Sequence, residues 1–222
     1  MSRAVDEATW LAAAGVRLDV DVHVPRDAVG VVVLPDAGTG TRHSARSAAV
    51  AGELQRGGLA TVVADLLTTE DKLVAATFDQ RRADVDLLAA RLAALASWTA
   101  EHEPTSGLRL GLYGADTGAA ACLDLAADRP ELVRTVVCAG ARLDLADPML
   151  ARVTQSVLLL VGERDRPLIE LTETAASRLG GKAAVIVVPG ASHRFEEPGA
   201  LEAVAELARD WFVARLPVEA DG

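Results

Sequence analysis

The segment best suited to chemistry is a glycine-flanked turn that follows an apolar run ending at Tyr113. Asp116 stands at the apex of this turn, between Gly114 and Gly118. Glycines at this spacing let a helix approach the preceding strand closely, which forces the apical side chain into a strained and exposed position. A residue presented in this way is typical of a catalytic nucleophile, so we predict that role for Asp116.

Two later polar residues supply the partners that such a nucleophile requires. Asp165 comes after the fifth of six apolar runs in the chain, and His193 comes after the sixth. The chain order nucleophile, acid, histidine is one of the orders in which catalytic triads occur. We therefore predict a triad of Asp116, His193 and Asp165, although Asp165 is also placed to cap the helix that follows it.

Hydrophobic periodicity predicts the elements that must position these residues. Alternation of apolar and polar residues predicts an antiparallel strand at Val16–Val24. Continuous apolar runs predict six strands buried on both faces, at Val29–Leu34, Leu59–Leu67, Leu108–Tyr113, Val133–Cys138, Val157–Val161 and Ala183–Val188. Helical spacing predicts helices at Ser44–Arg56, Asp79–Glu101, Thr117–Ala127, Pro167–Leu179 and Gly199–Leu216. The predicted fold is α/β, a doubly wound and mostly parallel sheet with helices on both faces, forming one domain over residues 1–222 with a core over about 16–216.

Composition and charge exclude several classes of partner. The 222 residues carry 32 Asp and Glu against 22 Lys and Arg, a formal net charge of −10. This acidic balance argues against nucleic acid and against anionic membranes as partners. No apolar stretch is long enough to span a bilayer, no secretory signal is evident, and two cysteines make no disulfide framework, so we expect a cytoplasmic protein. No nucleotide or metal motif is present, and no cofactor is predicted.

Together these motifs resemble the α/β-hydrolase superfamily and, within it, the small capless branch that contains dienelactone hydrolases. The segment from Asp36 to Ser44 is similar to the HGSGSSRHS-type oxyanion loop of that branch. Residues 114–118 are similar to its GxSxG elbow, and residues 190–197 to its GxxHxFxE ending. The resemblance implies an α/β-hydrolase fold without a cap domain, and a hydrolase that acts on a small molecule.

The chain departs from the pattern of this branch at two positions of the expected site. Asp116 replaces the nucleophilic Ser or Cys, and Asp36 replaces the His that opens the oxyanion loop. Two carboxylates in one small cavity cannot both ionise cheaply, so we expect one of them to hold a proton. Attack by a carboxylate on an epoxide gives an ordinary ester, which water activated by His193 can hydrolyse. The leading hypothesis is therefore an epoxide-hydrolase-like reaction, with Asp36 as the proton donor.

The oxyanion loop and the elbow supply the other predicted site residues. We assign oxyanion or substrate contacts to Ala37, Gly38, Thr39, Arg42, His43 and Thr117. Arg42 and His43 either bind an anionic group of the substrate or flank the helix that begins near Ser44.

Three alternatives stay open at this point. A carboxylate pair with a histidine can also move protons on a carbon skeleton, as in a cofactor-free isomerase, dehydratase or cyclase. The protein is otherwise an ordinary ester or lactone hydrolase, or a member of the fold that binds a ligand without catalysis.

The first 15 residues have no assigned element and, with Trp10, offer a surface for a homodimer.

Overall fold

One eight-stranded sheet organises the protein. The computed structural model describes residues 4–37, 41–75 and 81–217. The strands are β1 (Val5–Ala13), β2 (Val16–Val24), β3 (Val31–Asp36), β4 (Ala60–Asp65), β5 (Leu110–Asp116), β6 (Val133–Ala141), β7 (Ser156–Gly162) and β8 (Ala183–Val188). Their order across the sheet is β1-β2-β4-β3-β5-β6-β7-β8. Strands β1 and β2 are antiparallel to their neighbours, and β3 to β8 are parallel to one another.

The strand predictions are confirmed for β2 to β8, but the sequence prediction misses β1. Strand β1 pairs with β2 along its whole length. The turn between them uses Ala14 and Gly15 at φ values of 46° and 79°, and alanine seldom adopts a positive φ. Leu11 and Ala13 of β1 are buried, so the core begins before the predicted boundary at residue 16.

Helices connect the parallel strands, as the α/β pattern predicts. They are α1 (Ala45–Arg56), α2 (Thr69–Ala75), α3 (Arg81–Glu101), α4 (Thr117–Asp128), α5 (Arg166–Arg178) and α6 (Ala200–Val213), with a 3₁₀ segment at Leu143–Arg152. The five predicted helices are confirmed as α1, α3, α4, α5 and α6, whereas α2 and the 3₁₀ segment were not predicted. The predicted start at Asp79 lies outside the described residues. The connection from β6 to β7 contains only the 3₁₀ segment, and no cap domain is inserted there.

The core lies in two layers, one on each face of the sheet. Helices α1 and α6 cover one face, with Leu54 and Phe212 fully buried between helix and sheet. Helices α3, α4 and α5 cover the other face, where Leu88 and Leu123 are buried. Because helices cover both faces of the central strands, we expect a ligand site at the carboxyl ends of these strands.

The two edge strands differ from the interior ones. Strand β8 is partly exposed along most of its length, so the expectation that it is buried on both faces is wrong. At the opposite edge, Trp10 of β1 is 52% exposed, and the guanidinium of Arg17 lies 5.0 Å from the centre of its ring. Among the described residues, no helix is both long and apolar enough to cross a membrane.

Candidate active site

Asp116 occupies a strained turn between β5 and α4. Its φ of 48° and ψ of −125° lie in a region that non-glycine residues seldom adopt, at a cost of about 1–3 kcal/mol, and its side chain is exposed. The neighbouring glycine makes this turn feasible, because a Cβ on Gly114 would lie 2.6 Å from the Cα of Ala119. A Cβ on Gly118 would lie 3.3 Å from the Cβ of Ala37, which shows how closely the oxyanion loop approaches the elbow.

His193 and Asp165 meet at the ends of two adjacent strands. The Nδ1 atom of His193 lies 3.2 Å from Oδ2 of Asp165, as the predicted triad requires. Nδ1 is buried, and its alignment with this oxygen falls short of a hydrogen bond. The other oxygen of Asp165, Oδ1, accepts a hydrogen bond of 3.2 Å from the backbone N–H of Leu168. Asp165 therefore caps α5 and faces the imidazole at the same time.

The loop that carries His193 packs closely against two glycines and is hydrogen-bonded to one carboxylate. A Cβ on Gly162, at the end of β7, would lie 2.3 Å from the carbonyl oxygen of Ser192. A Cβ on Gly140, at the end of β6, would lie 2.6 Å from the carbonyl oxygen of His193. Glu197 accepts hydrogen bonds from the N–H and hydroxyl of Ser192, at 2.9 and 3.1 Å. These hydrogen bonds, led by the one from the N–H of Ser192, lower the pKa of the Glu197 carboxyl.

A cavity of about 650 Å³ joins the elbow, the oxyanion loop and the histidine loop. Five of the predicted site residues line it, namely Asp36, Ala37, Asp116, Thr117 and His193. Asp165 does not line the cavity and stands behind the imidazole. The strands that carry these residues are parallel, which is why their carboxyl ends converge on one space.

The carboxyl group of Asp36, at the end of β3, is hydrogen-bonded to the first turn of α1. Ser44 caps this helix by accepting a hydrogen bond from the N–H of Ser47, and its hydroxyl donates to the hydroxyl of Ser47 at 2.9 Å. Ser47 in turn donates to Oδ2 of Asp36 at 3.3 Å. The carboxyl group of Asp36 is thus oriented by a short chain of hydroxyls on the wall of the cavity.

Arg42 and His43 are not brought to the cavity, contrary to the prediction that they bind an anionic substrate group. The guanidinium of Arg42 forms ion pairs of 3.0 Å with Asp21 and 2.9 Å with Asp65. His43 is largely exposed, and its Nδ1 lies 3.4 Å from Oδ2 of Asp21. Both side chains are drawn toward carboxylates of β2 and β4, which the local sequence does not reveal. The predicted contacts of Gly38 and Thr39 lie outside the described residues.

Sequence reasoning assigned no role to three positively charged residues that line the cavity. Arg46 of α1, Lys72 of α2 and Arg194 beside His193 bring positive charge to its wall. Tyr113 lines it as well, and its hydroxyl is buried without a hydrogen-bond partner in the described residues. Burial raises the pKa of Tyr113 to about 12. Membership of the same strand as Asp116 was the one available signal for Tyr113.

The two cysteines are buried in the core. Cys122 and Cys138 are buried as free thiols, and burial raises the pKa of the Cys138 thiol to about 12. This confirms the interpretation of both as small apolar residues. Within residues 4–37, 41–75 and 81–217, no group of three His, Cys, Asp or Glu side chains is arranged to hold a metal ion.

Comparison with known proteins agrees with this architecture. A family model described as the dienelactone hydrolase family matches residues 18–214. The crystal structure of a dienelactone hydrolase from Anabaena variabilis is 39% identical with a TM-score of 0.90, over 96% of this chain and 99% of that one. Est1E from Butyrivibrio proteoclasticus, 14% identical with a TM-score of 0.75 over 93% of this chain and 98% of its own, shares the fold.

Two curated proteins from Mycobacterium tuberculosis strains are similar to this chain in sequence. Both are 42% identical over 214 residues, and both carry the name putative phosphoribosyl transferase. The match covers 95% of this chain but 47% of each relative. The chain therefore spans about half the length of these relatives.

Proposed function

The chain belongs to the dienelactone hydrolase family, and from that premise we propose that it hydrolyses a small electrophilic substrate through the carboxylate of Asp116. One observation carries the proposal: a carboxylate occupies the strained elbow and shares its cavity with His193. His193 is the base that activates water, and Asp165 orients it.

A strained ether such as an epoxide suits this nucleophile better than an ester does. Attack by a carboxylate on an ester carbonyl gives a mixed anhydride, which is less stable than the ester it replaces. Attack on a saturated carbon of an epoxide gives an ordinary ester and releases ring strain. A carboxylate can therefore form a productive covalent intermediate with the second kind of substrate.

The first step forms one bond and breaks one. An oxygen of Asp116 bonds to a ring carbon of the epoxide, and the bond between that carbon and the epoxide oxygen breaks. The electron pair stays on the epoxide oxygen, which takes a proton from the carboxyl group of Asp36 on the same cavity wall. The products are a hydroxyalkyl ester of Asp116 and an ionised Asp36.

The second step hydrolyses this ester. His193 takes a proton from water, and the water oxygen attacks the carbonyl carbon of the Asp116 ester. The backbone N–H groups of Ala37 and Thr117, beside the elbow, stabilise the tetrahedral oxyanion. Collapse breaks the bond to the leaving alkoxide, which takes the proton held by His193 and departs as the diol. Asp116 is left as a carboxylic acid and passes its proton to Asp36, so the two carboxyl groups and the imidazole return to their starting protonation states.

The curated relatives are about twice as long as this chain, which matches the hydrolase family model over residues 18–214. The transferase activity that their name describes is compatible with the half of their length that has no counterpart in this chain.

A second candidate function is cofactor-free proton transfer on a carbon skeleton. It is favoured by the presence of Asp36 and Asp116 in one cavity, where one carboxylate can remove a proton and the other acid can return it. This reaction needs no covalent intermediate, which separates it from the first candidate.

Incorporation of heavy oxygen tests both candidates. Small epoxides, lactones and aryl esters are screened for turnover, and a single turnover is then run with excess enzyme in ¹⁸O water. We expect one ¹⁸O atom in the peptide that contains Asp116 and none in the product of that first turnover, by mass spectrometry. Asp116→Asn abolishes turnover, whereas Asp128→Asn at the other end of α4 leaves it unchanged.

Other labelling patterns would overturn the covalent mechanism. Label in the product alone makes Asp116 a general base that activates water. Conversion of the substrate with ¹⁸O in neither Asp116 nor the product supports proton transfer. The absence of turnover across the panel supports a protein that only binds its ligand.

A further inference from the structure

The inner part of the cavity contains a polar group that has no hydrogen-bond partner among the described residues. Leu34, Val50 and Ala139 line this part and are almost fully buried, so its wall is apolar. Tyr113 lies among them, and its hydroxyl has no hydrogen-bond partner in the described residues. A buried hydroxyl left unpaired costs about 1–3 kcal/mol, so this group would gain from an acceptor supplied by a ligand.

Tyr113 lies in the wall of the ligand space. It lines the cavity together with Arg46, and its hydroxyl is buried in that wall. Tyr113 precedes Asp116 by three residues on β5, which corresponds to about 10 Å along a strand. A ligand that contacts Tyr113 along this wall meets the apolar side chains of Leu34, Val50 and Ala139.

We propose that Tyr113 donates a hydrogen bond to a neutral oxygen at the inner end of the substrate, so that this cavity selects a small apolar molecule bearing a carbonyl or ether oxygen. The proposal refines the substrate class of the function proposed above and rests on it only in using the same cavity. It does not require Asp116 to be a nucleophile.

The charge of this oxygen follows from its surroundings. Burial raises the pKa of Tyr113 to about 12, so the phenol stays protonated and acts as a donor near neutral pH. The same burial penalises an anion at this depth, despite the nearby Arg46. A neutral acceptor therefore suits the inner wall better than a carboxylate does.

Binding of unreactive probes tests the proposal without turnover. The probes are acetophenone, its hydrocarbon isostere α-methylstyrene, and benzoate. Tyr113 is the single tyrosine of the chain, so tyrosine labelled with ¹³C at Cζ gives one resonance to follow during titration. We expect saturable binding of acetophenone with a shift of this resonance, and about 5- to 30-fold tighter binding than for α-methylstyrene.

A matched pair of hydroxyl deletions separates binding from folding. Tyr113→Phe should abolish the preference for the ketone and leave the free energy of unfolding unchanged or raised, because it removes an unpaired hydroxyl. Thr135→Val removes a paired hydroxyl, which donates to the carbonyl oxygen of Ser156 at 2.7 Å and accepts from Trp211 at 2.8 Å. It should lower stability and keep the ketone preference.

Three results would overturn the proposal. These are equal binding or no binding of ketone and hydrocarbon, tighter binding of benzoate than of acetophenone, and a Tyr113→Phe protein that keeps the ketone preference. If Asp116 takes up no heavy oxygen while Tyr113 shows the ketone preference, the covalent mechanism fails and the binding site stands.

Discussion

Asp165 contacts His193 and caps helix α5 with different oxygens of the same carboxyl group. Oδ2 lies 3.2 Å from Nδ1 of His193, and Oδ1 accepts a hydrogen bond from the N–H of Leu168 at the start of α5. The helix cap fixes the rotation of the carboxyl group and therefore the oxygen that the imidazole meets. Capping of α5 and contact with the imidazole are thus compatible in one residue.

This relationship predicts that Asp165→Asn separates the two roles. Asparagine retains an oxygen that can cap α5, but its amide cannot replace the charge that stabilises a protonated imidazole. We expect turnover to fall by about 10³- to 10⁴-fold with little change in the free energy of unfolding. Asp165→Ala should lose turnover and about 1 kcal/mol of stability in urea denaturation. Turnover at the wild-type level in Asp165→Asn would remove Asp165 from the triad.

Restoring a hydroxyl at the elbow should change the reaction that the site favours. Asp116→Ser presents a hydroxyl to His193, whereas the wild-type carboxylate forms only an unstable anhydride with esters. We expect the variant to hydrolyse p-nitrophenyl acetate with a burst of acyl-enzyme, and the wild type to show no burst. Asp116→Asn serves as the control without a nucleophile. A burst in the wild-type protein would instead identify an ordinary esterase.

The close packing of the histidine loop on Gly162 predicts that a methyl group added at this position lowers activity. In Gly162→Ala the Cβ would lie 2.3 and 2.5 Å from two backbone carbonyl oxygens, so the loop must move. We expect a loss of about 1–3 kcal/mol in stability and about 100-fold in turnover, since a displacement near 1 Å can have that effect. Gly15→Ala is the control, because its φ of 79° is strained in alanine but nothing lies within 4 Å. It should lower stability alone, and an equal loss of turnover in both variants would contradict the prediction.

Alkaline titration should report the environment of Tyr113. Its pKa rises from 10.0 to about 12 in the folded protein, so above about pH 10 the unfolded chain releases this proton while the folded one retains it. The stabilising effect is complete below pH 10 and is lost as the pH rises toward 12. Absorbance of tyrosinate at 295 nm should therefore appear near pH 12 in the native protein and near pH 10 in guanidinium. Titration near pH 10 in the native protein would show that the hydroxyl is exposed, and Tyr113→Phe should remove the signal.

The fold could be predicted from local patterns because its central strands are buried on both faces and form continuous apolar runs in the sequence. The elbow was also local, since Gly114 and Gly118 flank Asp116 within one turn. Strand β1 was missed because polar Glu7 and Thr9 lie on its inward side while Trp10 is exposed, and because its turn places an alanine at positive φ. Short-range patterns carry no signal for a pairing that depends on such a turn.

The sequence by itself determined the α/β order of elements, the carboxylate at the elbow, and the succession of Asp116, Asp165 and His193. Only the tertiary structure decided which polar groups share the cavity. Arg42 pairs with Asp21 and Asp65, whereas Tyr113 is buried beside the site and its hydroxyl has no partner in the part of the chain that the structure describes. The physical reason is that periodicity along a chain reports which face of an element is buried, but ion pairing and desolvation depend on groups that are distant in sequence.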